Sequence, residues 1–157
     1  MKKGISIWSF PPLSLKDSFA LAKTAGFEGV EVALDESAGE ITLVTTDSQL
    51  QQIKQQAQDA DIQLYSVACG LYWSYWLCSD DVAEQTKAKD IVKKQLDVAA
   101  ALGCESILVI PGCVNADFAA PGKVMDYLDA YERSMEALQE LKPYAESCKV
   151  EIGLENV

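Results

Sequence analysis

The sequence predicts an α/β fold built on a parallel sheet, and three observations predict it. Short strand-like runs alternate with helical ones along the chain, the order expected of parallel strands joined by right-handed crossovers. The segments AGFEGVEVA, ADIQLYSVA, ALGCESILVI and SCKVEIGLE repeat the order helix end, turn, strand at intervals of about 35 to 45 residues, the period of a βα unit. The last stretch, EIGLENV, alternates apolar Ile152 and Leu154 with Glu151, Gly153 and Glu155, a strand pattern with an acid near its C-terminal end.

Taken in order, Gly4 to Phe10 (GISIWSF) alternates as a first strand and stops at Pro11-Pro12, which cannot continue a ladder. Ser14 suits a helix N-cap, and Leu15, Phe19, Ala22 and Ala25 recur at helical spacing up to Gly26. The second strand, FEGVEVAL (27–34), puts Val30 and Val32 on one face and Gly29 and Glu31 on the other. Asp35 to Thr46 reads as a loop or short helix, and Asp47 as the cap of a glutamine-rich helix marked by Leu50, Ile53, Ala57 and Ala60. IQLYSVAC (62–69) is the third strand; after Gly70 comes a loop carrying Tyr72, Trp73, Tyr75 and Trp76. Asp80 or Asp81 caps a long helix that runs through Ile91, Val92, Leu96, Ala99 and Ala100 to Gly103. SILVI (106–110) is the fourth strand, closed by Pro111-Gly112. A loop reaches Gly122, and a fourth helix follows with Tyr127, Tyr131, Met135, Leu138 and Leu141 on one side and Pro143 placed to kink it near its end. Lys149-Val150 open the fifth strand.

Such strands fit a doubly wound sheet or part of a (β/α)₈ (TIM) barrel. A doubly wound domain should end on a covering helix and carry a Gly-rich phosphate turn. Here the first turn is Ser9-Phe10-Pro11-Pro12 and the chain ends on a strand. A complete barrel takes about 250 residues, so 157 residues match its first part. The expectation is therefore an incomplete parallel (β/α) barrel, four βα units plus strand five, with residues 1–157 as the N-terminal five-eighths of one domain.

Composition narrows the partners. The net charge of −11 argues against nucleic acid, whose binding draws on Lys and Arg. A hydrophobic content of 49% fits an ordinary globular chain. No apolar run approaches the ~20 residues of a membrane span, and Met1-Lys2-Lys3 leads into a run too short for a secretory signal. The 5 cysteines show no CxxC spacing and read as reduced thiols of a cytoplasmic protein. Histidine is absent from the sequence, which removes the commonest general base and the commonest transition-metal ligand. Acid–base work falls to carboxylates, Lys, Tyr or Cys.

Strand ends at the C-terminal mouth of a barrel carry its chemistry, which singles out Glu155. On the face opposite Ile152 and Leu154, its carboxylate could bind a hard divalent cation or act as a base; the plain alternative is a solvated acid. Glu31 has the same geometry on the second strand, with hydrogen bonding to Trp8 or another loop side chain as the alternative role. The aromatic loop and Trp8 lie at the same end and could stack on sugar C–H faces, or form a lid packed on the fold or on a partner subunit. Glu28 and Glu105 precede their strands and read as surface charge.

Taken together, AGFEGVEVAL, a third strand ending in ACGLYWSY, ILVIPG and EIGLENV resemble the N-terminal half of the sugar phosphate isomerase/epimerase group of the xylose isomerase-like barrels. That group includes ketose 3-epimerases, pentulose-phosphate epimerases, hydroxypyruvate isomerases and inosose dehydratases. The resemblance implies a sugar or sugar-phosphate substrate and proton transfer beside a carbonyl through an enediolate. It implies one Mn²⁺ or Mg²⁺ held by Glu, Asp, His and Glu from the fifth to eighth strands, of which only the first falls on this sequence, as Glu155. It makes Glu155 catalytic as well as a metal ligand, Glu31 the acid of the second strand, and Trp8, Ala68, Cys69, Tyr72 and Trp73 pocket wall. The other ligands have no counterpart, so the metal is expected only with further strands, the enzyme only in a longer parent, and the chain alone to be inactive. An open barrel edge invites a second copy. A zinc apurinic-site endonuclease of the same superfamily would call for histidines and a basic face, which this sequence lacks; a non-enzymatic sugar-binding or regulatory barrel remnant stays open.

Overall fold

A computed structural model describes residues 2–118 and 121–156. Met1, Ala119, Ala120 and Val157 lie outside them, and with these go part of the loop expected before Gly122 and the last residue of EIGLENV. The element order is β1 (Gly4–Ser6), α1 (Leu15–Thr24), β2 (Gly29–Leu34), α2 (Asp47–Asp59), β3 (Gln63–Cys69), α3 (Val82–Leu102), β4 (Ser106–Val109), α4 (Tyr127–Cys148) and β5 (Glu151–Leu154). The strands form a 5-stranded sheet in the order β1-β2-β3-β4-β5, every neighbouring pair parallel. Sequential order with no reversal is what a barrel wall requires and a doubly wound sheet violates. The fold is a partial TIM barrel.

Strand alternation separates two faces. Val30, Val32, Leu34, Val67, Cys69, Ile107 and Val109 point out to the helices and form one core with Phe19 of α1, Leu50 and Ile53 of α2, Ile91, Val92 and Leu96 of α3 and Leu141 of α4. The helices end where local chemistry stops them. Ser14 accepts from the Asp17 N–H at 3.1 Å at the start of α1. Asp81, not Asp80, caps α3, its Oδ1 accepting from the Ala83 N–H at 2.8 Å. Gly103 at φ 82° closes the same helix. At α2 the cap is Thr46 rather than Asp47: Thr46 and Gln49 form a reciprocal capping box, which shifts the start by one residue.

Several strand ends differ from the sequence reading: β2 begins at Gly29 rather than Phe27, β3 at Gln63 rather than Ile62, and β4 ends at Val109 rather than Ile110. The first strand stops at Ser6, and Ile7–Ser9 wind into a 3₁₀ turn closed by the Phe10 N–H on the Ile7 carbonyl, 3.2 Å away. Lys149 does not begin β5; at φ 57° it is the left-handed cap of α4.

The structure also shows which side of α4 packs. Of the apolar residues expected on one side, only Leu141 is buried; the packed stripe is Ala130, Ser134, Ala137, Leu141 and Ala145. Tyr127 is 67% and Tyr131 55% exposed, and their rings stack on the outer side at 6.4 Å. Small residues let α4 lie close to α3, so the bulky side chains fan away from it. Pro143 sits within the helix.

Candidate active site

Apart from Leu108 and the Tyr65 ring, the lumen face of the sheet carries small or polar side chains. Ser6, Glu31, Ser66, Ser106 and Glu151 are register partners in turn, one transverse row across all five strands. Ser66 Oγ donates to Glu31 Oε2 at 2.7 Å, while Ser6 Oγ is buried without a hydrogen-bond partner. Nearer the C-terminal ends come Ala33 and Ala68, also register partners.

Below this row lies a residue that strict alternation hides. Val30 pairs with Leu64 and Glu31 with Ser66, so Tyr65 is an extra residue, a bulge that turns it and Ser66 to the same side. Its ring lies over Gly4 and Gly29: a Cβ built on Gly29 would stand 2.5 Å from it, and one on Gly4 2.9 Å. The two glycines are the sequence signal for that ring, and Tyr65 forms the floor of the lumen. Its hydroxyl is buried without a partner.

The row starts at the last residue of β1 and ends at the first of β5, so it descends across the sheet as a barrel shear demands. With strands tilted about 36°, the descent is roughly one residue per strand. Glu155, four residues beyond Glu151, thereby returns close to the level of Glu31, three strands away. Its backbone N–H extends the ladder to the Val109 carbonyl at 3.0 Å. Ile152 packs on the core and Leu154 lines the groove beside α4, so alternation carries Glu155 to the lumen side, where it is exposed.

The other expected wall residues divide. Trp8 is 58% exposed and its Cζ2 lies 4.0 Å from where a Gly70 Cβ would be, so the indole reaches from β1 toward the end of β3. Ala68 is fully buried on the lumen face. Cys69, the next residue in the strand, faces the other way, into the helix-side core, where burial pushes its thiol up to about 12. Tyr72 is likewise a core residue: it is 2% exposed, its hydroxyl donates to Gln95 Oε1, and burial raises its phenol well above the ordinary range. Gln95 spends its amide on the Val67 and Leu108 carbonyls at 2.6 and 3.0 Å, so Tyr72 ties α3 to the sheet instead of lining the mouth.

Trp73 and Trp76 belong to a roof made by the loops after β3 and β4. Trp73 meets Phe118 edge to face at 4.9 Å. Trp76, 1% exposed, packs with Cys78, Ala116 and Ala130. Glu84 accepts from the Trp76 backbone N–H at 2.8 Å and pairs with Lys123 at 2.5 Å, and the Lys123 ammonium stands 4.2 Å from the centre of the Trp76 ring. Sequence reading found the aromatic loop but not Glu84 or Lys123, which only the fold brings together.

No group of three or more His, Cys, Asp or Glu able to hold a metal exists among the described residues. Mn²⁺ and Mg²⁺ require several oxygen ligands, so this donor set does not form their site. Two concavities lie elsewhere: about 560 Å³ at the N-terminal strand ends beside Lys2, Lys54 and Tyr65, and about 670 Å³ between α4 and β5. No helix among the described residues is long and apolar enough to cross a membrane.

A parallel wall in sequential order, with Glu31 facing in from the middle of β2 and Glu155 just past β5, defines a barrel with its mouth at the C-terminal strand ends. Residues 19–157 match the family model described as xylose isomerase-like TIM barrel, and the chain belongs to that family. Solved structures with the same arrangement include D-psicose 3-epimerase of Clostridium cellulolyticum H10 with D-tagatose (TM-score 0.81, 23% identity, covering 100% of this chain and 53% of that one). Others are a D-psicose 3-epimerase in the presence of D-fructose (0.77, 20%, 97% and 51%) and an L-ribulose 3-epimerase (0.77, 19%, 100% and 50%). The chain thus spans about half the length of these sugar epimerases. No curated protein sequence matches it significantly.

Proposed function

We propose that this chain supplies the first five strands of a sugar or sugar-phosphate isomerase or epimerase. Glu155 is its proton-transfer base, and the chain is inactive until further βα units close the barrel. The observation that supports this reading most is the register and alternation that carry Glu155 to the lumen side of β5, in a family whose solved relatives include 3-epimerases over the full length of this chain. In the reaction a carboxylate removes the proton from the carbon beside the carbonyl, and the resulting enediolate takes a proton back on the other face or at the neighbouring carbon. Trp8 and Trp73 would flank the sugar, with Glu31, held by Ser66, on its hydroxyls. A divalent metal, Mn²⁺ or Mg²⁺ with Glu155 as one ligand, is part of the proposal only for the closed barrel.

The same reading places the protein in the cytoplasm, with all its cysteines free, and lets a second copy pair along the open edges of β1 and β5; sedimentation of a monomer alone would remove the latter. The absence of a metal cluster among the described residues favours one second reading, a non-enzymatic sugar-binding or regulatory barrel remnant.

The experiment is solvent exchange of the carbonyl-adjacent proton of a ketose in D₂O, followed by NMR, with this chain alone and with a barrel completed by the remaining βα units. Exchange is expected only in the completed barrel, and its loss in Glu155→Gln with an unchanged circular dichroism spectrum. Wild-type exchange in that variant would refute the assignment of the base; sugar binding without exchange in the completed barrel would favour the second reading.

A further inference from the structure

We infer that Cys78 and Cys113 are a disulfide-forming pair, oxidised by a hydroperoxide, that straps the loop after β3 to the loop after β4. The two lie far apart in sequence and meet in the roof: Cys78 Sγ is 3.4 Å from the Cys113 backbone nitrogen and 3.5 Å from its carbonyl oxygen. Gly112 shows how closely the segments are pressed, since a Cβ there would stand 3.3 Å from Cys78 Cβ and collide with Ser134 Oγ. With one backbone against the other sulfur, the pairing requires that rotation of the Cys113 side chain bring the two sulfurs to bonding distance without moving either loop.

The exposures assign the order of events. Cys113 is partly exposed and Cys78 fully buried, so the peroxide meets Cys113 first. Its thiolate attacks the O–O bond, giving a sulfenic acid and water. Cys78 then attacks that sulfur, and the departing hydroxyl leaves as a second water with the proton that Cys78 gives up. Two thiols and one peroxide become one disulfide and two waters. Burial raises the Cys78 thiol, an effect only partly offset by the Cys113 N–H bond and by Lys123, so Cys78 rests as the thiol and gives up its proton as it attacks. The remaining cysteines do not compete: Cys69 and Cys104 are buried and pushed up to about 12, and Cys148 lies at the last residue of α4, at the other end of the sheet.

The inference does not depend on the proposed function. Its test is oxidation of the wild-type chain with H₂O₂, alkylation in denaturant and peptide mass mapping. The 5 free thiols should fall by two, with a Cys78–Cys113 peptide lighter by two hydrogens and restored by dithiothreitol. In Cys78→Ser, Cys113 should stop at a sulfenic acid that dimedone traps. The inference is overturned if Cys113 proceeds to sulfinic acid while Cys78 stays free, if it pairs with Cys148 or with a second chain, if Cys78→Ser still loses two thiols reversibly, or if neither residue reacts under conditions that oxidise a free cysteine peptide.

Discussion

Ser66 Oγ donates to Glu31 Oε2 at 2.7 Å across the seam between β2 and β3. Ser66→Ala removes that donor from a half-buried carboxylate and should cost about 1–2 kcal/mol. The check is a lower urea midpoint at unchanged slope; Ser66→Thr, which keeps the hydroxyl, should recover most of the loss.

The floor of the lumen makes a coupled prediction. In Gly29→Ala the new methyl would stand 2.5 Å from the Tyr65 ring, an overpacking that should cost about 1–3 kcal/mol. Combined with Tyr65→Ala the clash disappears, so the double variant should be more stable than the sum of the single effects requires. Additive losses in a thermal double-mutant cycle would mean that the ring does not lie there.

Tyr72→Phe strips Gln95 Oε1 of its donor in a buried setting. A loss of about 1–3 kcal/mol is expected, read as a lower urea midpoint at unchanged slope. Because folding holds the Tyr72 phenol far above its ordinary value of 10.0, the wild-type chain should lose stability as pH rises above about 10.

Tyr144 gives a sharper pH signature. Its hydroxyl donates to Asp97 Oδ1 at 2.8 Å, linking α4 to α3, and that bond, with some burial, pushes the phenol up to about 12. The folded value lies above the unfolded one, so the contribution is complete below about pH 10 and vanishes as pH climbs through about 12. Urea midpoints of wild type and Tyr144→Phe should differ below pH 10 and converge toward pH 12; a constant gap would assign the bond no role.

With no cluster of metal-binding side chains among the described residues, the chain alone should leave the Mn²⁺ electron paramagnetic resonance signal undiminished. Stoichiometric loss of that signal would reveal a site these residues do not account for.

The order of strands and helices was legible because the strands keep a period of two, the bulge at Tyr65 in β3 aside, and each helix is bounded by a cap or a glycine. The inward turn of Glu31 followed from the same period. That rule also forbids Ala68 and Cys69, adjacent in β3, from both facing the lumen, and the expectation that they share a wall overlooked it. Tyr65 was hidden because a bulge breaks alternation without leaving a mark in composition. The buried side of α4 was not legible because Ala130, Ser134 and Ala137 carry little hydropathy, whereas Tyr127 and Tyr131 stand out by size alone. Roof contacts such as Glu84 with Lys123 join residues from separate units, and nothing local announces them.

The single aromatic ring seated on Gly4 and Gly29 also fixes how far anything can descend through the mouth. Exchanging Tyr65 for a smaller side chain would deepen the well without disturbing its rim. Depth and entrance are therefore set by different residues and can be changed one at a time.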